Sequence, residues 1–188
     1  VVVLPNVLDL QDPMAPRHSA GSERRSRPVV VNVGRWCEQK APERFVDAAR
    51  KLAGIADFVW IGSAPEGADV GNVEVTGWLQ QDEVWKRLAS ASIVYFTSRW
   101  EGMPVGLMQA QAAGVPAVAL ACIGVRDVVV DGVTGVIVEH AASGPDVLEN
   151  LLLDAERRRH MSISAWESRE RFSSDGYGER SIAVYNEA

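Results

Sequence analysis

Apolar residues along this chain come in short unbroken runs separated by amphipathic stretches. The runs "VVVNVG" at 29–34, "DFVWIG" at 57–62, "SIVYF" at 92–96, "PAVALA" at 116–121 and "GVIVE" at 135–139 are continuous rather than alternating. That is the pattern of strands covered on both faces of a parallel sheet. Helical spacing fills the intervals. Phe45, Val46, Ala49 and Leu52 follow Pro42; Val84, Trp85 and Leu88 follow Gln80; Val105, Met108 and Ala112 follow Pro104, which suits a first helical position, and Gly114 and Pro116 stop that stripe. Strand alternating with helix predicts an α/β domain, a Rossmann-like doubly wound parallel sheet with helices on both faces. Ligands are then expected at the carboxyl ends of the strands.

The ends of the chain differ in kind. Residues 13–28, "PMAPRHSAGSERRSRP", have no periodicity and read as an exposed loop with solvated arginines. From 147 to 188 the pattern is mostly helical, with a tail helix over 165–188 and "ERRRH" placed near a helix end, where cations suit the dipole. The reading is one domain over residues 1–188.

Composition narrows the function classes. With 188 residues, 47% of them hydrophobic and 23% charged, the chain can bury a core. A net charge of -6 argues against an extended nucleic-acid surface, so an anion must be met locally. No apolar run approaches the roughly 20 residues that cross a bilayer, and the start lacks signal-peptide features. The expectation is a soluble, cytoplasmic protein with no membrane contact in this part. Cys37 and Cys122 read as reduced thiols, and His18, His140 and His160 are scattered without ligand spacing, so no metal site is expected.

Three clusters follow strand ends. In "VGRWCEQKAPE", Gly34 closes a strand, Arg35 follows, and Lys40 precedes the helix at Pro42. Two cations beside a helix N-terminus suit a diphosphate; the spacing alone favours surface ion pairs to Glu38 or Glu43. In "VEVTGWLQQDEVW", a glycine between a short strand and a helix sets Trp78 and Leu79 where they could wall a planar base, although a tight turn with Trp78 in the core fits better by itself. In "SRWEGMPVGLMQAQAAGVP", Glu101 and Gly102 fill a strand-to-helix turn whose first N–H groups face any ligand. An acidic group there would repel phosphate and suits hydroxyls, so the combination describes a nucleotide sugar.

The stretches "GRWCEQKAPERFVDAARKL", "VTGWL", "SRWEGMPVGLMQAQAAGVPAVAL" and "GVRDVVVDGVTGVIV" resemble, in order, motifs of the donor-binding half of retaining glycosyltransferase family 4, which has the GT-B fold. The resemblance runs from about residue 1 to 139; "LPNVLDL" is similar to the family's opening "PNGVD", and the closing "YNEA" to its returning tail. It implies a nucleotide sugar, a UDP-sugar, as substrate, with no cofactor and no metal. Arg35 and Lys40 would bind the diphosphate beside Gly34, and Trp78 and Leu79 would frame the base. Glu101, with the backbone of Gly102, Met103, Pro104 and Val105, would hold the transferred sugar. Glu101 is the first acid of the family's E-x7-E motif; Gln109 stands where the second acid, which grips the ribose, would be. The resemblance further implies an acceptor-binding N-terminal domain outside this chain, an isolated domain that binds donor without transferring it, and front-face attack with no protein nucleophile. A position at the inner membrane face is left open for a longer protein. Two other readings stand beside it: a non-catalytic nucleotide-sugar module, for which Gln109 speaks, and a dinucleotide domain, which lacks a G-x-G-x-x-G after the first strand.

Overall fold

The apolar runs become the strands that their continuity predicts. A computed structural model describes residues 6–10, 27–175, 177–179 and 182. Strands β1 (Val29–Val33), β2 (Asp57–Ile61), β3 (Val73–Val75), β4 (Ile93–Phe96), β5 (Ala117–Leu120) and β6 (Gly135–Val138) form one parallel sheet in the order β3-β2-β1-β4-β5-β6. Helices α1 (Pro42–Lys51), α2 (Gln81–Ala89), α3 (Val105–Ala112), α4 (Val125–Val128), α5 (Gly144–Leu153) and α6 (Ala155–Glu167) connect and cover them. The order reverses between β1 and β4. The chain leaves β1 and β4 toward opposite sides there, and the carboxyl edge at such a reversal is the crevice where doubly wound sheets bind ligands.

Side chains alternate across β1 into two cores. Val29 and Val31 join Leu88 of α2, Leu107 and Met108 of α3 and Val125 of α4; Val30 joins Phe45 of α1, Leu148 of α5 and Met161 of α6 on the other face. Each large apolar side chain removed from water in this way contributes about 1.5–3 kcal/mol. Helix α1 buries the stripe its sequence announces. Helix α3 does not follow its predicted stripe: Val105 is exposed, and every residue from Leu107 to Ala112 is buried, both glutamines included. It lies between the sheet and the 3-10 turn Arg169–Phe172, so it has no solvent face over that span.

Three further expectations change. Pro104 caps α3 in extended conformation instead of occupying its first turn. "ERRRH" opens α6 behind the cap Asp154, yet Arg158 turns back and donates to the carbonyls of Leu151 and Leu152, closing α5. The tail is no single helix: at Ser168 the side chain bonds the Ala165 carbonyl, α6 ends, and a 3-10 turn follows. Residues 13–26 of the expected loop and the closing "YNEA" lie outside the described residues. Among the described residues no helix is long and apolar enough to cross a membrane.

Candidate functional site

The crevice between β1 and β4 is built by two loops that brace each other. After β1, a 3-10 turn at Glu38–Lys40 leads into α1 through Ala41, which is buried at φ 48. That left-handed corner is held from the β4 side. Thr97 Oγ donates to the Lys40 carbonyl at 2.8 Å, buried Asn32 donates to Thr97 Oγ at 3.1 Å, and Arg44 donates to the Thr97 carbonyl at 3.2 Å. The Arg99 N–H reaches the Gln39 carbonyl at 2.8 Å. The backbone of Lys40 is thereby fixed from two strands.

Its head group is fixed as well. Lys40 Nζ lies 2.5 Å from Glu101 Oε1, and the two side chains are only 15% and 8% exposed. The Gln39 amide spans the Trp100 carbonyl at 3.0 Å and the other Glu101 oxygen at 3.3 Å. The Lys40 stem runs along Gly34, where a Cβ would stand 3.1 Å from Lys40 Cε, and the ammonium sits 5.5 Å from the centre of the Phe96 ring. The spacing-based expectation of pairs to Glu38 or Glu43 is overturned: Lys40 takes Glu101, 61 positions away, and Glu43 takes Arg99. Arg35 is exposed, with no ion pair or hydrogen bond recorded to the described residues.

Close backbone approach closes the floor. A Cβ on Gly106, in the first turn of α3, would stand 2.9 Å from the Val33 carbonyl. One on Gly124, at φ +83, would stand 1.8 Å from the Gly102 carbonyl. Without side chains at these points, the loops after β1, β4 and β5 meet, and the unpaired N–H groups of α3's first turn open on the crevice. Asn6 donates to the Met103 carbonyl at 2.9 Å, tying the opening segment to the same turn.

Of the remaining expected residues, Gln109 is buried on α3, and its side-chain amide has no hydrogen-bond partner among the described residues, whereas Gln111 bonds the carbonyls of Val115 and Thr134. Trp78 is 75% exposed, so the core role that the pattern favoured is excluded; Leu79 packs against the core beneath it. Four site neighbours went unnoticed from sequence: Asn32, Thr97, Gln39 and Cys122. Burial pushes the Cys122 thiol up, the Glu101 carboxylate adds to the shift, and Lys40 offsets part of it. Asn32, Thr97 and Cys122 share one signal, a position at or within two residues of a strand's carboxyl end, while Gln39 lies in the 3-10 turn before α1. Among the described residues, no group of three or more His, Cys, Asp or Glu could hold a metal ion.

Residues 27–154 match the family model "Glycosyl transferases group 1", which spans more than half of the chain. The chain belongs to this family. It is 26% identical to alpha-D-kanosaminyltransferase of Streptomyces kanamyceticus, over 86% of this chain and 46% of that protein. It is 31% identical to D-inositol 3-phosphate glycosyltransferase of Xylanimonas cellulosilytica, over 86% of this chain and 42% of the relative. The chain thus spans about half the length of the curated relatives it matches. Among solved structures, sucrose-phosphate synthase from Thermosynechococcus elongatus superposes with TM-score 0.83 at 18% identity, covering 98% of this chain and 51% of that one. Anabaena HepE in complex with UDP-glucose gives 0.76 at 16%, covering 87% and 50%. At such identities the likeness is one of fold, and it agrees with the doubly wound sheet.

Proposed function

We propose that this chain is the donor-binding, C-terminal half of a retaining family 4 glycosyltransferase of GT-B fold. In that reading it takes a nucleoside diphosphate sugar, a UDP-sugar, for transfer to an acceptor in glycan or glycolipid synthesis. The observation that carries it is the sheltered Lys40–Glu101 pair at the order reversal, in the loops after β1 and β4, with Arg35 exposed directly after β1 and Gly106 in the first turn of α3 packed on the Val33 carbonyl. Arg35 and Lys40 stabilise the negative charge that develops on the departing diphosphate. The α3 N–H groups of Val105 and Gly106 face the phosphates, with the backbone of Gly102, Met103 and Pro104 alongside. Glu101 accepts from sugar hydroxyls, Trp78 and Leu79 wall the base, and Gln109 offers the ribose a neutral acceptor. UDP-glucose in the fold relative HepE and glycosyltransferases among the sequence relatives support this donor class.

Residues 1–188 act as one donor domain, and the acceptor side is supplied by a partner domain outside them. Calorimetric titration of a nucleotide-sugar panel into the chain tests the reading. Micromolar to millimolar binding of one donor, with no transfer to a simple acceptor by the chain alone, is expected; transfer by the chain alone shows that a second domain is dispensable. Gln109 in the place of an acid supports a second reading, a non-catalytic nucleotide-sugar module, and transfer by a longer protein containing this chain excludes it.

A further inference from the structure

We infer that Glu101 lets this site tell a loaded nucleotide sugar from the spent nucleoside diphosphate, because it holds Lys40 as an internal counter-ion until a sugar occupies the carboxylate. The inference rests on the donor-site reading above. Of the two cations after β1, Arg35 is exposed with no ion pair among the described residues, and Lys40 is paired with Glu101. The Lys40–Glu101 pair is sheltered, at 15% and 8% exposure, while Arg50–Asp69 is 48% and 71% exposed. Both carboxylate oxygens are engaged, one by Lys40 and the other by the Gln39 amide. The Lys40 backbone is pinned by Thr97 and its stem by Gly34, so the ammonium changes partner by turning at its outer bonds.

A bare diphosphate must draw Lys40 from Glu101, and it then faces an uncompensated carboxylate. A loaded donor brings hydroxyls that donate to that carboxylate and take the place of the ammonium. Affinity for the spent nucleotide is thereby held down relative to the loaded one, which favours release after transfer.

Calorimetry on wild type and Glu101→Gln, with UDP against UDP-glucose and GDP against GDP-mannose, tests this. Removing the charge while keeping the shape should tighten binding of the diphosphate by about tenfold and weaken binding of its sugar conjugate. In a Lys40→Met background the diphosphate gain should shrink, because the coupling is gone. Gln39→Leu keeps the carboxylate charge and removes the amide that Glu101 shares with the Trp100 carbonyl, so it should not tighten diphosphate binding. Thermal unfolding of each variant checks the fold. Loss of affinity for both members of a pair in Glu101→Gln, or no change in either, overturns the inference while leaving the donor site standing. A wild-type chain that binds none of the four ligands overturns the donor-site reading and the inference with it.

Discussion

The centre of the ligand-facing edge and its β3 end are built on opposite plans. At the β1/β4 centre, Lys40, Glu101, Gln39 and Thr97 are bonded to one another, and the loops after β4 and β5 touch backbone to backbone at Gly102 and Gly124. At the β3 end Trp78 stands 75% exposed, and a Cβ on Gly77 would meet nothing within 4 Å. Charge recognition needs donors already held in place, since reorganising them on binding wastes interaction energy. A flat apolar base needs only a surface to lie against. The contrast fits the proposal that phosphate and sugar lie at the packed β1/β4 region and the base at the open one.

The contrast breaks most visibly in stability. Gly124→Ala combines a left-handed φ of +83 with a clash on the Gly102 carbonyl, and should cost more than about 2 kcal/mol. Gly77→Ala, at φ +74 in open space, should cost about 1 kcal/mol. Urea unfolding of both decides; equal costs would erase the difference between the two regions. Next in size, Arg35→Ala should lower affinity for a nucleoside diphosphate by about 1.5–3 kcal/mol, the worth of a charge-assisted hydrogen bond. Its folding stability should stay within about 0.5 kcal/mol, because Arg35 is exposed with no recorded partner among the described residues. At the open end, Trp78→Ala should lower nucleotide affinity by about 1 kcal/mol through lost stacking and likewise spare the fold. Trp78 in the core would instead show a large stability loss.

The smallest effect belongs to Gln109→Glu. A carboxylate accepts from both ribose hydroxyls with charge assistance where the amide offers one neutral acceptor, so UDP binding should tighten by about 1 kcal/mol. Repulsion from the diphosphate opposes this, limited by Arg35 and Lys40. A ligand without ribose should show no gain, and an equal or weaker UDP affinity would mean that Gln109 does not face the ribose.

Local patterning made the sheet and α1 legible, because continuous apolar runs and a one-sided helix leave period signals in sequence. Helix α3 escaped: buried between the sheet and the turn Arg169–Phe172, it carries no polar face for a pattern to reveal, and its stripe through Val105 pointed the wrong way. The end of α6 at Ser168 was hidden for a related reason, a side-chain-to-backbone bond that no periodicity records. Arg35, Lys40 and Glu101 stood out as charges at strand ends, yet the partner of Lys40 lies 61 residues away, and spacing rules see only neighbours such as Glu38 and Glu43. Asn32 and Thr97 carried no signal beyond position, being polar residues at strand ends whose contact spans 65 residues.

The central claim is that the nucleotide diphosphate lies at the β1/β4 crevice. Backbone amide shifts recorded by NMR during titration with the UDP-sugar that binds tightest test it most directly. The account predicts concentrated changes at Arg35, Gln39, Lys40 and residues 101–106, with smaller ones at Gly77 and Trp78. The groove lined by Val133, Arg157, His160 and Ser164 should stay silent. Changes centred on that groove, with residues 101–106 unmoved, would contradict it.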